Sequence, residues 1–496
     1  MNIISKVSFK QIMFLAIFFR LLAAIFSKGF AFLDDHFEII EMANKVVLHE
    51  PLAATGEVYI FSLLYPFLHV IIIWICNFIG FTDPEIQMLA TRLVHAAVSL
   101  VTVFCAYRIT NKLTKDENIA KIVALSMAVF WIFPFMCVRN LREFFCVPFI
   151  FLAYDYLINN DGKISKISHV LLASFLFALA FDIRYQIVFI PLGIGLVLLC
   201  SKTNSLKAIY FGIGFLVSVC ITQLLFDWFY WGDPLASLMA YSDYNAKNSH
   251  LYPQGDWFMY ILTVGGVLLA PACFLIFIGY FKVWKKYLIL FLPSLLFFVF
   301  HSYFPNKQER FILPFIPMIL MLGLIGFNEF YIENNQKNWV KKLTKGLVIW
   351  FVVLNTIGLI VFTFTYTKRS RVESMVYLYQ KGDVVNIIED SEGGLPYLPI
   401  FYLGKSINYY EINNDKSAID LQNEIKLGLK PKPNYIIFTG SDNLAIRLNK
   451  IKTIYPNLKH EIDIEPSFVD NIAFVLNPKH NVNETWFIYK ITENNF

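Results

Sequence analysis

The sequence predicts an all-α polytopic membrane domain of about eleven or twelve spans, followed by a small C-terminal α/β domain outside the membrane. Three observations carry that prediction. Only 16% of the 496 residues are charged and 57% are hydrophobic, where soluble domains hold roughly 25% and 45–50%. Runs of about 18 apolar residues recur through residues 1–367. Beyond Thr367, short β-rich runs alternate with helical patterns. The net charge of +5 is small and dispersed, which excludes a nucleic-acid partner. The 7 Cys lie in or beside apolar stretches without C-x-x-C spacing, and read as small hydrophobes.

Taken in order, spans are expected near 9–27, 59–81, 88–108, 119–136, 143–158, 167–185, 187–200, 207–228, 258–281, 287–304, 311–331 and 346–367. Lys6 and Lys10 precede the first as in a signal peptide, but no small-residue cleavage site follows, so an uncleaved anchor is expected. Basic residues mark cytoplasmic loops. They cluster at Arg108/Lys112/Lys115, Lys163/Lys166, Lys202/Lys207, Lys282/Lys285/Lys286 and Lys337/Lys341/Lys342. All of these share one side only if 28–87 makes no net crossing, with 59–81 dipping in and returning or lying against the bundle. About eleven crossings then place the N-terminus in the cytoplasm and the C-terminus outside. Charges at mid-bilayer cost about 2.5–3.5 kcal/mol each on insertion scales, so Arg20, Arg92, His95 and Asp155 must be paired or near an interface.

The domain boundary falls at 367/368. In 368–496 strands are expected at Val384–Ile388, Tyr435–Phe438, Ile472–Leu476 and Trp486–Tyr489, and helices at 417–429 and 442–453. Neither a phosphate loop nor a nucleophile elbow stands there, which leaves docking or acceptor recognition as its expected role. One sequon, Asn483-Glu484-Thr485, lies in this domain.

The exterior loops hold most of the unusual polar residues. In Leu33-Asp34-Asp35-His36-Phe37-Glu38 two adjacent carboxylates at a membrane surface suit a general base or a metal ligand. The same pair also suits a solvated helix N-terminus. Arg139-Asn140-Leu141-Arg142-Glu143 reads as a phosphate site or an ion-paired turn. In Asp182-Ile183-Arg184-Tyr185 a local Asp–Arg pair is the favoured reading. Asp227, Tyr230, Asn245, Tyr252, Trp257 and Tyr260 lie in one long aromatic loop, where rings can stack on sugars or form the interfacial belt. In Asn306-Lys307-Gln308-Glu309-Arg310-Phe311, Lys307 and Arg310 can face the same way and hold a phosphate. His301 reads as a structural residue. A carboxylate base with cations on one membrane face suits displacement of a phosphate leaving group.

These motifs resemble the GT-C superfamily of membrane glycosyltransferases. They are most similar to glycosyltransferase family 22, the polyprenol- or dolichol-phosphate-mannose-dependent α-mannosyltransferases. The family's His-Pro-Asp-Glu loop is matched by Leu33-Asp34-Asp35-His36, its Leu-Phe-Pro by Leu64-Tyr65-Pro66, and its middle loop by Asp227 to Tyr260. Its His-Lys-Glu-x-Arg-Phe is matched by Asn306-Lys307-Gln308-Glu309-Arg310-Phe311. Asp35, Asn306 and Gln308 depart from the family pattern, and the C-terminal domain is atypical of family 22. The resemblance covers about residues 30–330.

It implies an inverting transfer of a sugar, mannose by this likeness, from a polyprenyl-phosphate donor to a lipid-linked glycan or other exterior acceptor. Asp34 would be the base, with Asp35 assisting or binding a divalent metal. No cofactor is otherwise implied. Lys307, Arg310 and Arg142 would hold the donor phosphate, and Asp227 and the loop aromatics the sugar and acceptor. The rival reading is a transporter or flippase of lipid-linked saccharides, for which internal repeats would be expected. Richness in Lys, Asn and Ile points to an AT-rich genome without separating a bacterial plasma membrane from an endoplasmic reticulum, and a bacterial plasma membrane is the expectation.

Overall fold

The computed structural model describes residues 6–50, 58–252, 254–391, 397–407, 409–412, 415–478 and 481–492. In chain order the membrane part holds α1 (Phe9–Phe26), then α2, which runs through Leu33–Asp35, a π-helical His36–Glu41 and Met42–Val47. There follow α3 (Leu64–Phe78), α4 (Pro84–Thr114), α5 (Glu117–Val129), α6 (Ile132–Cys137), α7 (Arg142–Phe145), α8 (Val147–Leu157), α9 (Ile167–Ile183) and α10 (Phe189–Leu199). Helix α11 joins Ser205–Val219 to Leu225–Trp231 through a π-helical Cys220–Leu224. It is followed by α12 (Ala236–Asn248), α13 (Met259–Val267), α14 (Cys273–Lys282), α15 (Leu288–Tyr303), α16 (Phe315–Asn334) and α17 (Asn338–Thr363).

Among the described residues five helices are long and apolar enough to cross a membrane: α1, α4, α11, α16 and α17. Shorter apolar helices accompany them, including α9, α14 and α15. The expected span 258–281 is broken into α13 and α14 by a turn around Leu268–Ala272, where Pro271 removes a backbone donor. Glycine lets two helices touch there. A Cβ on Gly279 of α14 would meet the Gly323 carbonyl of α16 at 1.9 Å, the small-residue packing that lipid-embedded helices favour.

The described residues form two compact units, Met1–Ala24 with Pro51–Leu68 and Thr91–Phe364, and Ile25–Glu50 with His69–Ala90 and Thr365–Phe496. The second unit is therefore larger than the expected domain 368–496, since it also takes up the end of α1, α2, most of α3 and the start of α4.

Within the first unit Arg20, Arg92 and Asp155, charged residues of the spans, are partnered. Arg20, 1% exposed, donates to Ser99 Oγ at 2.7 Å and to the Ala128 and Met127 carbonyls at 3.2 and 3.1 Å. Arg92 donates to the Ala24 carbonyl at 2.6 Å. Asp155 pairs with Arg108 at 3.1 Å and Lys112 at 2.7 Å. The basic clusters gather at one end of the bundle. Lys112 joins Asp155, Lys115 the Asn160 carbonyl, Lys207 the Ile164 carbonyl at 3.0 Å, and Tyr287 Oη the Leu113 carbonyl at 3.4 Å. Lys282 and Lys286 pair with Glu333 and Glu329, both at 2.6 Å.

Segment 28–87 begins and ends together, because Lys28 pairs with Glu85 at 2.6 Å. Helix α3 returns along α4. Its Tyr65 Oη lies 2.8 Å from His95 Nε2, whereas Asn77 Oδ1 accepts from Gln87 Nε2 at 2.7 Å.

The remainder of the second unit carries α18 (Arg369–Lys381), β1 (Ile387–Asp390), β2 (Tyr410–Ile412), α19 (Asp415–Lys426), β3 (Tyr435–Thr439), α20 (Leu444–Ile454), β4 (Leu458–Ile464), α21 (Phe468–Leu476) and β5 (Trp486–Ile491). The sheet order is β2-β1-β3-β5-β4, parallel across the first three and antiparallel at β5 and β4. Ile388, Ile436, Phe438 and Ile412 of the sheet bury against Leu421 and Ile451 of the helices. One expected strand is corrected: Ile472–Leu476 is helical. Ser467 and Asp470 form a capping box that satisfies the first amides of α21 and fixes it as a helix. The Asn483 side chain of the sequon is buried, accepting from Lys368 Nζ at 2.9 Å and donating to the Asp470 carbonyl at 3.4 Å.

Candidate active site

In the second unit, Asp34 and Asp35 open α2. Asp34 is exposed and Asp35 is 2% exposed. Two carboxylates in a first helical turn favour the positive end of the helix dipole. The helix is then held by its next turns. The His36 ring is sandwiched between Phe30, 4.6 Å away, and Tyr402, 5.5 Å away. Glu41 Oε1 accepts from the Phe401 amide at 2.8 Å, and Phe37 packs against Tyr397. Just ahead, Gly29 takes φ +79°, and a Cβ there would meet the Thr367 carbonyl at 1.8 Å. Only glycine permits that close approach. Thr367 in turn donates its amide to the Lys28 carbonyl at 3.1 Å and its hydroxyl to the Phe30 carbonyl at 2.8 Å.

Asp34 and Asp35 stand side by side at the start of α2. Neighbouring helix positions diverge by about 100°, the adjacent His36 ring is occupied by stacking, and among the described residues no three metal-ligating side chains converge.

In the first unit a second constellation is assembled from three separate elements. Glu143 on α7 is 0% exposed. Arg184, at the end of α9, reaches its Oε1 with Nη2 at 3.1 Å, and Arg310 places Nε at 3.9 Å from the same oxygen. Both guanidiniums lie over the Phe311 ring, at 4.7 and 5.6 Å. Arg310 also donates to Gln308 Oε1 at 2.9 Å. The Gln308 backbone is clasped by Tyr260 Oη, which donates to its carbonyl at 2.9 Å and accepts from its amide at 3.2 Å.

Lys307, 4% exposed, spends its three N–H donors on the carbonyls of His301, Ser302 and Phe304, at 2.7, 2.6 and 2.7 Å. Its ammonium closes the C-terminal end of α15 and lies 5.3 Å from the Tyr260 ring. Burial lowers its pKa. Arg142 is buried, 4.9 Å from the Phe61 ring.

The aromatic loop is dispersed. Asp227 is wholly buried and accepts from the Ser237 amide at 2.8 Å and hydroxyl at 2.6 Å, holding the start of α12. Asn245 donates to the Tyr241 carbonyl at 2.8 Å along its own helix. Tyr252 bonds to the Tyr244 hydroxyl. Tyr230 and Trp257 are exposed, at 45% and 56%. His301 Nδ1 lies 2.8 Å from the Phe297 carbonyl, in keeping with a structural role.

The structure thus brings Arg310, Lys307 and Tyr260 together and adds Glu143 and Arg184. Sequence reasoning paired Arg184 with Asp182, two residues away, although the ion pair runs to Glu143. The available signal was an arginine just past the end of a span, on the same face as Arg310.

The model of the Alg9-like mannosyltransferase family matches residues 11–388. GPI mannosyltransferase 3 of Yarrowia lipolytica is 22% identical over 389 residues, covering 74% of this chain and 70% of that one. Among solved structures, ArnT from Cupriavidus metallidurans bound to undecaprenyl phosphate superposes with a TM-score of 0.64 at 10% identity, over 98% of both chains. Arabinofuranosyltransferase AftD from Mycobacteria gives 0.53 at 10% identity, over 99% of this chain and 40% of that one. The structural likenesses show a shared fold.

Proposed function

The chain belongs to the Alg9-like mannosyltransferase family and is a multi-pass membrane glycosyltransferase of GT-C fold; from that premise we propose that it moves mannose from a polyprenyl-phosphate donor to a lipid-linked glycan or another exterior acceptor, with inversion. The convergence of Arg184 and Arg310 on the buried Glu143 carboxylate supports this reading most directly. Guanidiniums assembled around one anion, in a site with little water, suit the charge of a departing phosphate.

In the proposed reaction Asp34 accepts the proton of the acceptor hydroxyl. The hydroxyl oxygen bonds to the anomeric carbon as the bond from that carbon to the phosphate oxygen breaks. The electron pair leaves with the polyprenyl phosphate, whose charge Arg310, Arg184 and Arg142 offset. Lys307 fixes the 304–308 turn from which Gln308 and Arg310 project. Asp35 orients the start of α2, and Tyr230 and Trp257 offer exposed rings to sugar. We take the chemistry to lie outside the cytoplasm: Glu143 stands at the start of α7, and Asp155, near the end of α8, pairs with Lys112 of a basic cluster, which the positive-inside rule assigns to the cytoplasm. We take the membrane to be a bacterial plasma membrane.

The test is transfer by the full chain in nanodiscs, from radiolabelled polyprenyl-phosphate sugars to membrane acceptor lipid. Mannosyl transfer that Asp34→Asn abolishes supports the reading. Transport of lipid-linked saccharide without any transfer would sink it.

A further inference from the structure

We propose that α21 lies in the membrane–water interface beside the end of the first span, with Phe468, Ile472, Val475 and Leu476 among lipid headgroups and the outer acyl segments. These residues are 72%, 41%, 78% and 79% exposed. Their spacing of i, i+4, i+7 and i+8 puts them on one stripe of the helix. An exposed stripe of this kind marks an interaction surface or an aggregation hazard.

The opposite side of α21 shows where the stripe sits. Asp470, in the first turn, is buried, and its carboxylate accepts from the amides of Lys368 at 2.9 Å and Arg369 at 3.1 Å. The residues just before them are bonded to the exit of α1. Ser27 Oγ, one residue past the end of that helix, donates to the Thr365 carbonyl at 3.1 Å, and Thr367 donates to the carbonyls of Lys28 and Phe30. The N-terminal turn of α21 is therefore tied, within one unit of structure, to the residues at which a membrane span ends. Leu476 is six residues from Asp470, or about 9 Å of helix. The whole stripe therefore stays within about 9 Å, along the helix, of the anchor at the span end. Arg369, exposed beside the anchor, suits the phosphates of anionic lipids. A protein partner would need the same apolar stripe, but nothing in its recognition would require the tie to a span end.

The test uses the full chain in nanodiscs of phosphatidylcholine and phosphatidylglycerol, with a photoactivatable diazirine amino acid in place of Val475 or, separately, Phe468. Both side chains are largely exposed, so the replacements remove no core. Lipid adducts at both positions are expected. Adducts confined to a second copy of the chain, or insertion of water alone, would overturn the proposal. As an independent reading, Val475→Glu with Leu476→Glu should accelerate amide exchange across 468–476 in nanodiscs, and unchanged exchange would count against it.

Discussion

His36 Nε2 lies 3.3 Å from Glu41 Oε1, five residues along the π-helical turn that follows Asp34 and Asp35. Glu41 also takes the Phe401 amide, so one carboxylate joins the first loop to the segment that precedes β2. The helix bearing the proposed base is held by partners more than three hundred residues away.

Removing that link should displace Asp34 rather than unfold the chain. Glu41→Ala is expected to lower kcat by up to about 10²-fold, the cost of a misplaced reacting group, with a smaller change in KM. Glu41→Gln keeps an acceptor oxygen for the Phe401 amide and should recover much of the rate. Equal activity of all three proteins would show that the link does not position the base.

Asp34 and Asp35 should separate on substitution. Asp34 is exposed, so Asp34→Asn is expected to lose about 10²–10⁴-fold in transfer with unchanged melting. Asp35 is buried, so Asp35→Asn should lower both the rate and the melting temperature. Measuring the two quantities for each variant distinguishes base from support.

At the anion cluster, Glu143→Ala leaves the guanidiniums of Arg184 and Arg310 without that carboxylate. Breaking a buried pair costs about 3–5 kcal/mol, so the variant should unfold at markedly lower temperature. Donor analogue or undecaprenyl phosphate should restore part of the loss if the phosphate takes the same guanidiniums. Arg310→Lys and Arg184→Lys, which lose the planar fork, should weaken binding of the donor more than binding of the acceptor, as read by titration of each.

The C-terminal sheet should weaken as pH rises. Burial, with Glu411 and Asp390 nearby, pushes the Glu389 carboxyl up to about 8, against an opposing pull from Arg371. The folded form therefore holds its proton more tightly than the unfolded chain. That contribution is complete below the ordinary glutamate range near pH 4.5 and is lost as pH rises through about 8. Amide exchange in β1 should quicken between pH 6 and 9 in the natural protein, and Glu389→Gln should flatten that dependence.

The helical membrane character of residues 1–367 and the α/β character of the last domain were legible because hydropathy and short-range periodicity determine them, whereas expected spans such as 119–136 and 258–281 are each broken into two helices. Local reasoning did not give the partners that several polar side chains take in the fold. Arg184 stands beside Asp182 yet pairs with Glu143, and Lys307 has phosphate-binding chemistry yet holds three carbonyls of its own neighbourhood. Asp227 sits in an aromatic loop suited to sugars and is instead bonded to Ser237. In 472–476 the apolar run matched a strand as well as a helix, and the decision lay in Ser467 and Asp470, just ahead of it. For Asp34 and Asp35 the motif was visible, but the stack of Phe30, His36 and Tyr402 that supports it was not, because its third ring comes from the opposite end of the chain.

The hydrogen bonds from Ser27 to Thr365 and from Thr367 to Phe30 bridge separations of 338 and 337 residues. A ribosome adding about 5–20 residues per second emits the first loop well over a quarter of a minute before its partners exist. During that interval the proposed base lacks the support that Thr365 and Thr367 give to the residues just before it.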